Sequence, residues 1–173
     1  MTADAAAAAA MAANEVLTLA GEASGKIIGQ LAALYACLVA ALHAKVGPAV
    51  GARFLQRLVS KLDATIRSRA GAAAQASALA VGSNLALIFA HLYVFKVLHC
   101  SAVYGFVRRL VDAFGTHAEA ALEQLLALLR VCGAALRADD PAALKDIIVL
   151  AKERAKALHA EAGGEAGGGG AGG

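Results

Sequence analysis

"SNLALIFAHLYVFKVLHC", residues 83–100, decides how the chain is read. It is apolar enough to suggest a membrane span, yet it carries Asn84, His91 and Lys96. A spanning helix needs about 20 predominantly apolar residues, and a charge at its centre costs about 2.5–3.5 kcal/mol on insertion scales. The run between Asn84 and Lys96 is too short, and His91 interrupts it. The stretch reads instead as a central helix over about 83–97, packed on two sides inside a protein. Its strongest stripe is Leu85, Ile88, Phe89, Leu92 and Phe95. Phe89, Tyr93 and Phe95 point in more than one direction, as contact with several neighbours requires. His91 reads as a core histidine with one hydrogen bond satisfied.

Amphipathic patterns surround this helix. Upstream, residues 26–44 carry Leu31, Leu34, Tyr35, Leu38 and Leu42 at helical spacing. Gly47-Pro48 breaks the chain, and proline suits a first helical position because its missing N–H has no partner there. A helix over 48–69 follows, with Val50, Phe54, Leu58, Leu62 and Ile66 on one face. Residues 70–82 read as a low-complexity linker. Downstream, Val103, Phe106, Val107, Leu110, Val111 and Phe114 form a wide apolar stripe. Gly115 ends that helix, and Thr116 with Glu119 offers a capping box for the next, which carries Leu122, Leu125, Leu126 and Leu129 to near Leu136. Asp140 caps the last helix, with Pro141 in its first turn. Leu144, Ile147, Ile148, Ala151, Ala155 and Leu158 are its expected buried face. Six helices joined by short turns predict an all-α protein: three antiparallel pairs stacked as a short α-solenoid.

Composition agrees with this reading. The chain has 173 residues, is 60% hydrophobic and has a mean hydropathy of +0.64. Alanine inflates both values, and alanine is the best helix former. Only two prolines occur. The start, residues 1–13, reads as a disordered alanine-rich leader without the positive region of a secretory signal or the arginines of a transit peptide. Residues 161–173 read as a disordered glycine-rich tail. The ordered domain is expected within 14–160.

Charge and chemistry point to binding. The net charge is +3. Residues 43–70 hold Lys45, Arg53, Arg57, Lys61, Arg67 and Arg69 against Asp63 alone. Arg53, Arg57 and Lys61 lie four apart on one face, a pattern able to meet phosphates. Arg108, Arg109, Lys152 and Lys156 are the next candidates. The plainer reading of each group is a solvated helix face. The five histidines come with no HExxH, no Ser/His/Asp arrangement and no phosphate loop. His99 and Cys100 with Cys132 would offer three metal ligands, but at no recognisable spacing. Cys37, Cys100 and Cys132 read as small core fillers of a reducing compartment. Asp139 and Asp140 adjoin a helix start, where capping accounts for them. No enzyme activity, cofactor or metal is expected.

Three stretches carry a resemblance. "SNLALIFAHLYVFKVLHCSAVYGFVRRLV" (83–111) resembles the signature helix pair of the MIF4G family, the middle domain of translation initiation factor 4G. Asn84, His91, Leu92, Tyr93 and Phe95 stand at its signature positions, as structural residues. "VGPAVGARFLQRLV" (46–59) and "LLALLRVCGAALRADDPAALKDII" (125–148) are similar to its flanking elements, and to those of its nucleolar branch most of all. The resemblance implies stacked HEAT-like helix pairs without catalytic residues. It implies a DEAD-box RNA helicase related to initiation factor 4A as partner, and association with RNA. In the nucleolar branch it implies pre-rRNA, pre-ribosomal proteins, small-subunit assembly and a place in the nucleus and nucleolus, with no membrane. A full domain of the family has more pairs, so its opening and closing pairs are expected to be missing here. The alternative is an α-solenoid protein-interaction module without an RNA role, as in splicing or translation factors.

Overall fold

The computed structural model describes residues 3–23, 25–68 and 72–165, and among these are seven helices and no strand. They are α1 (Ala3–Glu22), α2 (Gly29–Val46), α3 (Pro48–Arg67), α4 (Ala72–Val94), α5 (Cys100–Asp112), α6 (Phe114–Asp139) and α7 (Pro141–Glu165). α2, α4 and α6 lie side by side in one layer, with α4 between the other two. In the second layer α1 packs on α3 and α5 packs on α7. The pairs are therefore α1/α2, α3/α4 and α5/α6, with α7 following. This is the expected all-α solenoid, shifted by one helix. α4 and α5, read from sequence as a pair, barely meet.

α3 and α5 form as their stripes predict. Gly47 has φ 132, a backbone open to glycine and strained for other residues, and Pro48 starts α3 directly after it. Val50, Phe54, Leu58, Leu62 and Ile66 are all buried. On α5 the buried face is Val103, Phe106, Val107, Leu110 and Val111, joined by Tyr104. By length and composition alone α2 and α4 could cross a membrane. In α4 the apolar side chains are spent inside the protein: Leu85, Ile88, Phe89 and Leu92 are all sealed among neighbouring helices. Phe89 meets Phe106 of α5 with ring centroids 5.1 Å apart.

The layer of α2, α4 and α6 corrects the leucine-based reading. The residues of α2 that face the core are Ala32, Ala36 and Val39, whereas Leu34 and Leu38 are exposed. In α6 the buried face includes Ala120, Ala121, Ala127 and Leu128, and Leu122 and Leu126 point outward. Small residues bring helix axes closer together, so in this layer alanine is the packing residue. Helices also approach closely at Gly82. A Cβ there would lie 2.7 Å from Gln124 Nε2 and 3.0 Å from Thr65 Oγ1.

Other boundaries also move. Residues 3–13, expected as leader, form the first half of α1, with Ala9 and Ala13 buried beside Val16, Leu17 and Ala20. Most of the expected linker 70–82 is the opening of α4, and residues 69–71 lie outside the described residues. α7 continues to Glu165, and residues 166–173 are likewise outside the description. Phe114 heads α6 instead of closing α5. Thr116 is not a cap, because a helical turn already runs from Ala113 (Thr116 N–Ala113 O 3.1 Å) and the kink falls at His117. On α7 only Ile147 of the expected apolar face is buried. Leu144, Ala151 and Leu158 are half-buried and Ile148 and Ala155 exposed, since α7 packs on α5 and α6 along one side only.

α4 ends at Val94, and Phe95 lies in the turn beyond it, 40% exposed and off the core stripe. Val97 N bonds to Leu92 O and Lys96 N to Tyr93 O, both at 2.9 Å, which is a Schellman closure. Its left-handed position is Lys96, at φ 61. A β-carbon there costs about 1–2 kcal/mol, and the Lys96–Asp139 ion pair (3.3 Å) is exposed and screened by solvent, so it offsets little of this. Lys96→Gly is therefore expected to raise stability by about 0.5–1 kcal/mol, read as a higher urea midpoint at an unchanged m-value.

Candidate functional site

Of the five signature residues, Asn84, Leu92 and Tyr93 are buried, and Asn84 and Tyr93 bond across joints of the fold. Asn84 is fully buried on α4. Its Oδ1 accepts from Ile27 N (2.8 Å), and its Nδ2 donates to Gly25 O (3.0 Å) and Ala20 O (3.5 Å). One side chain thus pins the α1–α2 connection to the central helix. Leu92 is core. The Tyr93 hydroxyl donates to Asp139 Oδ2 at the end of α6, and Lys96 Nζ pairs with the same oxygen. Those two donors hold the Asp139 carboxyl below the usual range, the tyrosine bond first. Burial, then the neighbouring carboxylate, pushes the Tyr93 phenol up. Tyr104 Oη lies 3.0 Å from Leu136 O and 2.8 Å from Asp140 O, and Asp140 Oδ1 accepts from Ala143 N at 2.9 Å as the cap of α7. Tyr93 and Tyr104 together clamp the α6–α7 junction.

His91 is not a core histidine. With Leu87 it lies on the one face of α4 that opens toward solvent, and its ring stacks on Phe95 with centroids 6.1 Å apart. Partial burial lowers its pKa from 6.5. The folded value lies below the unfolded one, so the unfolded chain takes up more protons as pH falls. The associated stability is present above about pH 6.5 and is lost as pH drops through the lowered folded value. We expect the melting temperature to fall between about pH 7 and pH 5, and His91→Gln to flatten that slope while its pH 7 value changes little. An unchanged slope in the variant would refute the assignment.

His99, Cys100 and Cys132, weighed as metal ligands and set aside on their spacing, form no cluster. Among the described residues no group of three His, Cys, Asp or Glu side chains could hold an ion. Cys132 is sealed in α6, its thiol bonded to Leu128 O (3.3 Å) and pushed up to about 12 by burial. The His99 ring accepts from Ser101 N (3.3 Å) at the start of α5. Of the expected core cysteines only Cys132 is core. Cys37 is exposed and Cys100 half-buried.

The basic residues divide into separate groups. Arg53, Arg57 and Lys61 are exposed along α3 and line a groove of about 970 Å³ between α3 and α1. The Arg57 guanidinium donates to Asn14 Oδ1, and Lys61 Nζ donates to Leu17 O (3.2 Å). Arg108 is exposed on α5. Arg109 is tied to Asp63 of α3 (3.0 Å) and lies over the Phe106 ring at 5.6 Å, spanning the gap between α3 and α5. Lys152 and Lys156 are exposed on α7 and do not line that groove. Sequence reading missed Asn14 and Thr18, the polar wall contributed by α1. The signal available was their place at the helical spacing of α1, just after the alanine run ends.

Comparison with known proteins gives these joints and grooves a family. The family model described as MIF4G domain matches residues 17–160, from within α1 to α7. Suppressor of glycerol defect protein 1 of Schizosaccharomyces pombe is 38% identical over 66 residues, which are 38% of this chain and 8% of that protein. Nucleolar MIF4G domain-containing protein 1 of Mus musculus is 37% identical over 102 residues, 59% of this chain and 11% of that protein. Its namesake in Homo sapiens is 33% identical over 78 residues, 45% of this chain and 9% of that protein. The matched region thus spans about a tenth of the length of these relatives. No solved structure matches the chain. With the match running through all seven helices and their buried joints, the chain belongs to the MIF4G domain family, a family of helical interaction domains.

Proposed function

We propose that the chain is a non-catalytic, RNA-associated scaffold. It binds a DEAD-box RNA helicase related to initiation factor 4A and acts with pre-ribosomal proteins on pre-rRNA during small-subunit assembly in the nucleolus. The observation that carries this reading is the similarity to the nucleolar relatives, combined with how the polar residues are used. Those inside the array hold joints, and the exposed basic residues of α3, α5 and α7 remain for partners. A scaffold of this kind acts by binding one state of its partner better than another, which needs surfaces and no reacting group.

The test is one gradient. The tagged protein is sedimented from a detergent-free lysate of its own cells, and the RNA and proteins travelling with it are identified. Co-migration with pre-ribosomal particles, precursor rRNA and a DEAD-box helicase is the expected result. A tag that stays at the top of the gradient without RNA overturns it. A second reading is a protein-interaction module without an RNA role. It is favoured by exposed leucines on the outer faces of α2 and α6 (Leu34, Leu38, Leu122, Leu126) and predicts protein partners at the top of the same gradient.

A further inference from the structure

We infer that the groove between α1 and α3 is a binding site for the sugar–phosphate backbone of single-stranded RNA. This rests on the RNA-associated reading above and gives it a place. Arg53, Arg57 and Lys61 follow one another at four-residue intervals, so about 6 Å separates successive cations along the helix axis. That is of the order of the distance between neighbouring phosphates in an extended strand. Among the described residues no carboxylate lines the groove, and its remaining polar lining is neutral: Asn14 and Thr18 from α1, Gln56 and Ser60 from α3. Asp63, the acidic residue of α3, is paired with Arg109.

The existing bonds leave room for phosphates. A guanidinium carries five N–H donors and an ammonium three. Asn14 occupies one donor of Arg57, and the Leu17 carbonyl one of Lys61. Arg53 makes no ion pair or side-chain hydrogen bond among the described residues. A phosphate can therefore be held while α1 stays in place as the opposite wall, and a bound strand tightens α1 onto α3. Phe54, the groove's aromatic residue, is buried in the floor, so bases have no exposed ring to stack on. Recognition is of backbone charge, strongly salt-dependent and indifferent to sequence.

The test uses the full chain and a fluorescent oligouridylate of about ten nucleotides, titrated by anisotropy across a salt series. Each phosphate contact on a single strand contributes about 0.7 to the slope of log K against log salt. Arg53→Gln/Arg57→Gln/Lys61→Gln is expected to reduce the slope by about 2. The charge-matched Arg130→Gln/Arg137→Gln/Lys145→Gln, on α6 and α7, leaves it unchanged. Because Arg57 and Lys61 also hold α1, a second variant separates binding from folding. Asn14→Asp puts a carboxylate opposite Arg57, so it preserves or raises the melting temperature while weakening RNA binding at least tenfold. Asn14→Asp binding like wild type overturns the proposal. So does an α3 triple variant with an unchanged slope. If the loss follows Arg108, Lys152 and Lys156 instead, the groove is wrong and the RNA-associated reading stands. If the wild type binds no RNA even at low salt, both fall. A poly-glutamate peptide that displaces the RNA more effectively than unlabelled oligouridylate of equal charge also overturns it, in favour of an acidic protein segment.

Discussion

Asn84→Ala is expected to lower the unfolding free energy by about 3–4 kcal/mol, seen as a large drop in the urea midpoint. The side chain is fully buried and makes three contacts to the connection between α1 and α2. Truncation strands Ile27 N–H and Gly25 C=O, and an unsatisfied buried group costs about 1–3 kcal/mol. Asn84→Asp keeps the acceptor for Ile27 but turns an oxygen toward two carbonyls, and is expected to do no better at neutral pH. Amide exchange in residues 20–28 should accelerate more than that of α6 in either variant. A loss below about 1 kcal/mol in Asn84→Ala would mean that the connection does not depend on this anchor.

Gly82→Ala should be nearly as damaging, against its helix propensity. On an open helix the change gains about 0.8–1 kcal/mol. Here the new methyl group would lie 2.7 Å from Gln124 Nε2, so the buried amide has to move. Gln124 is buried, donates to Thr65 Oγ1 at 2.9 Å, and already leaves its Oε1 without a partner among the described residues. Forcing it aside breaks that bond and strains the α4–α6 contact, for an expected loss of about 2–3 kcal/mol. The Gln124→Ala background provides the check. With the amide gone, Gly82→Ala is expected to be neutral or stabilising, giving a coupling energy of about 2 kcal/mol or more between the two sites. Additive effects would show that the close approach does not set the cost.

The legible parts of this fold were the helices whose cores are large side chains. Phe54, Leu58 and Leu62 on α3, and Phe106, Val107 and Leu110 on α5, announce their buried faces because polar residues fill the rest of the turn. α1, α2 and α6 were read less well because alanine serves two purposes in them. Ala32 and Ala36 are core while Ala41 and Ala44 are exposed, and nothing in the letter distinguishes them. Leu34, Leu38, Leu122 and Leu126 then looked like the stripe and are in fact the outer surface. For the same reason α1 looked like a leader and the start of α4 like a linker. The candidate site was half legible. The four-residue spacing of Arg53, Arg57 and Lys61 puts them on one face, but that α1 supplies the facing wall depends on tertiary packing. Arg109 could not be told from Arg108 by sequence, because only the fold brings Asp63 to one of them.

The central position of α4 also has a consequence in time. Its most extensive partner, α6, ends 45 residues further along the chain, at Asp139 against Val94. At about 5–20 residues per second, the ribosome needs roughly 2–9 seconds to deliver that partner after α4 is complete. During that interval α4 has only α1, α2, α3 and a slight contact with α5 to cover it. The newborn chain should therefore be most dependent on chaperones just before residue 140 is made, and slowing translation within α6 should lower the yield of folded protein more than slowing it within α2.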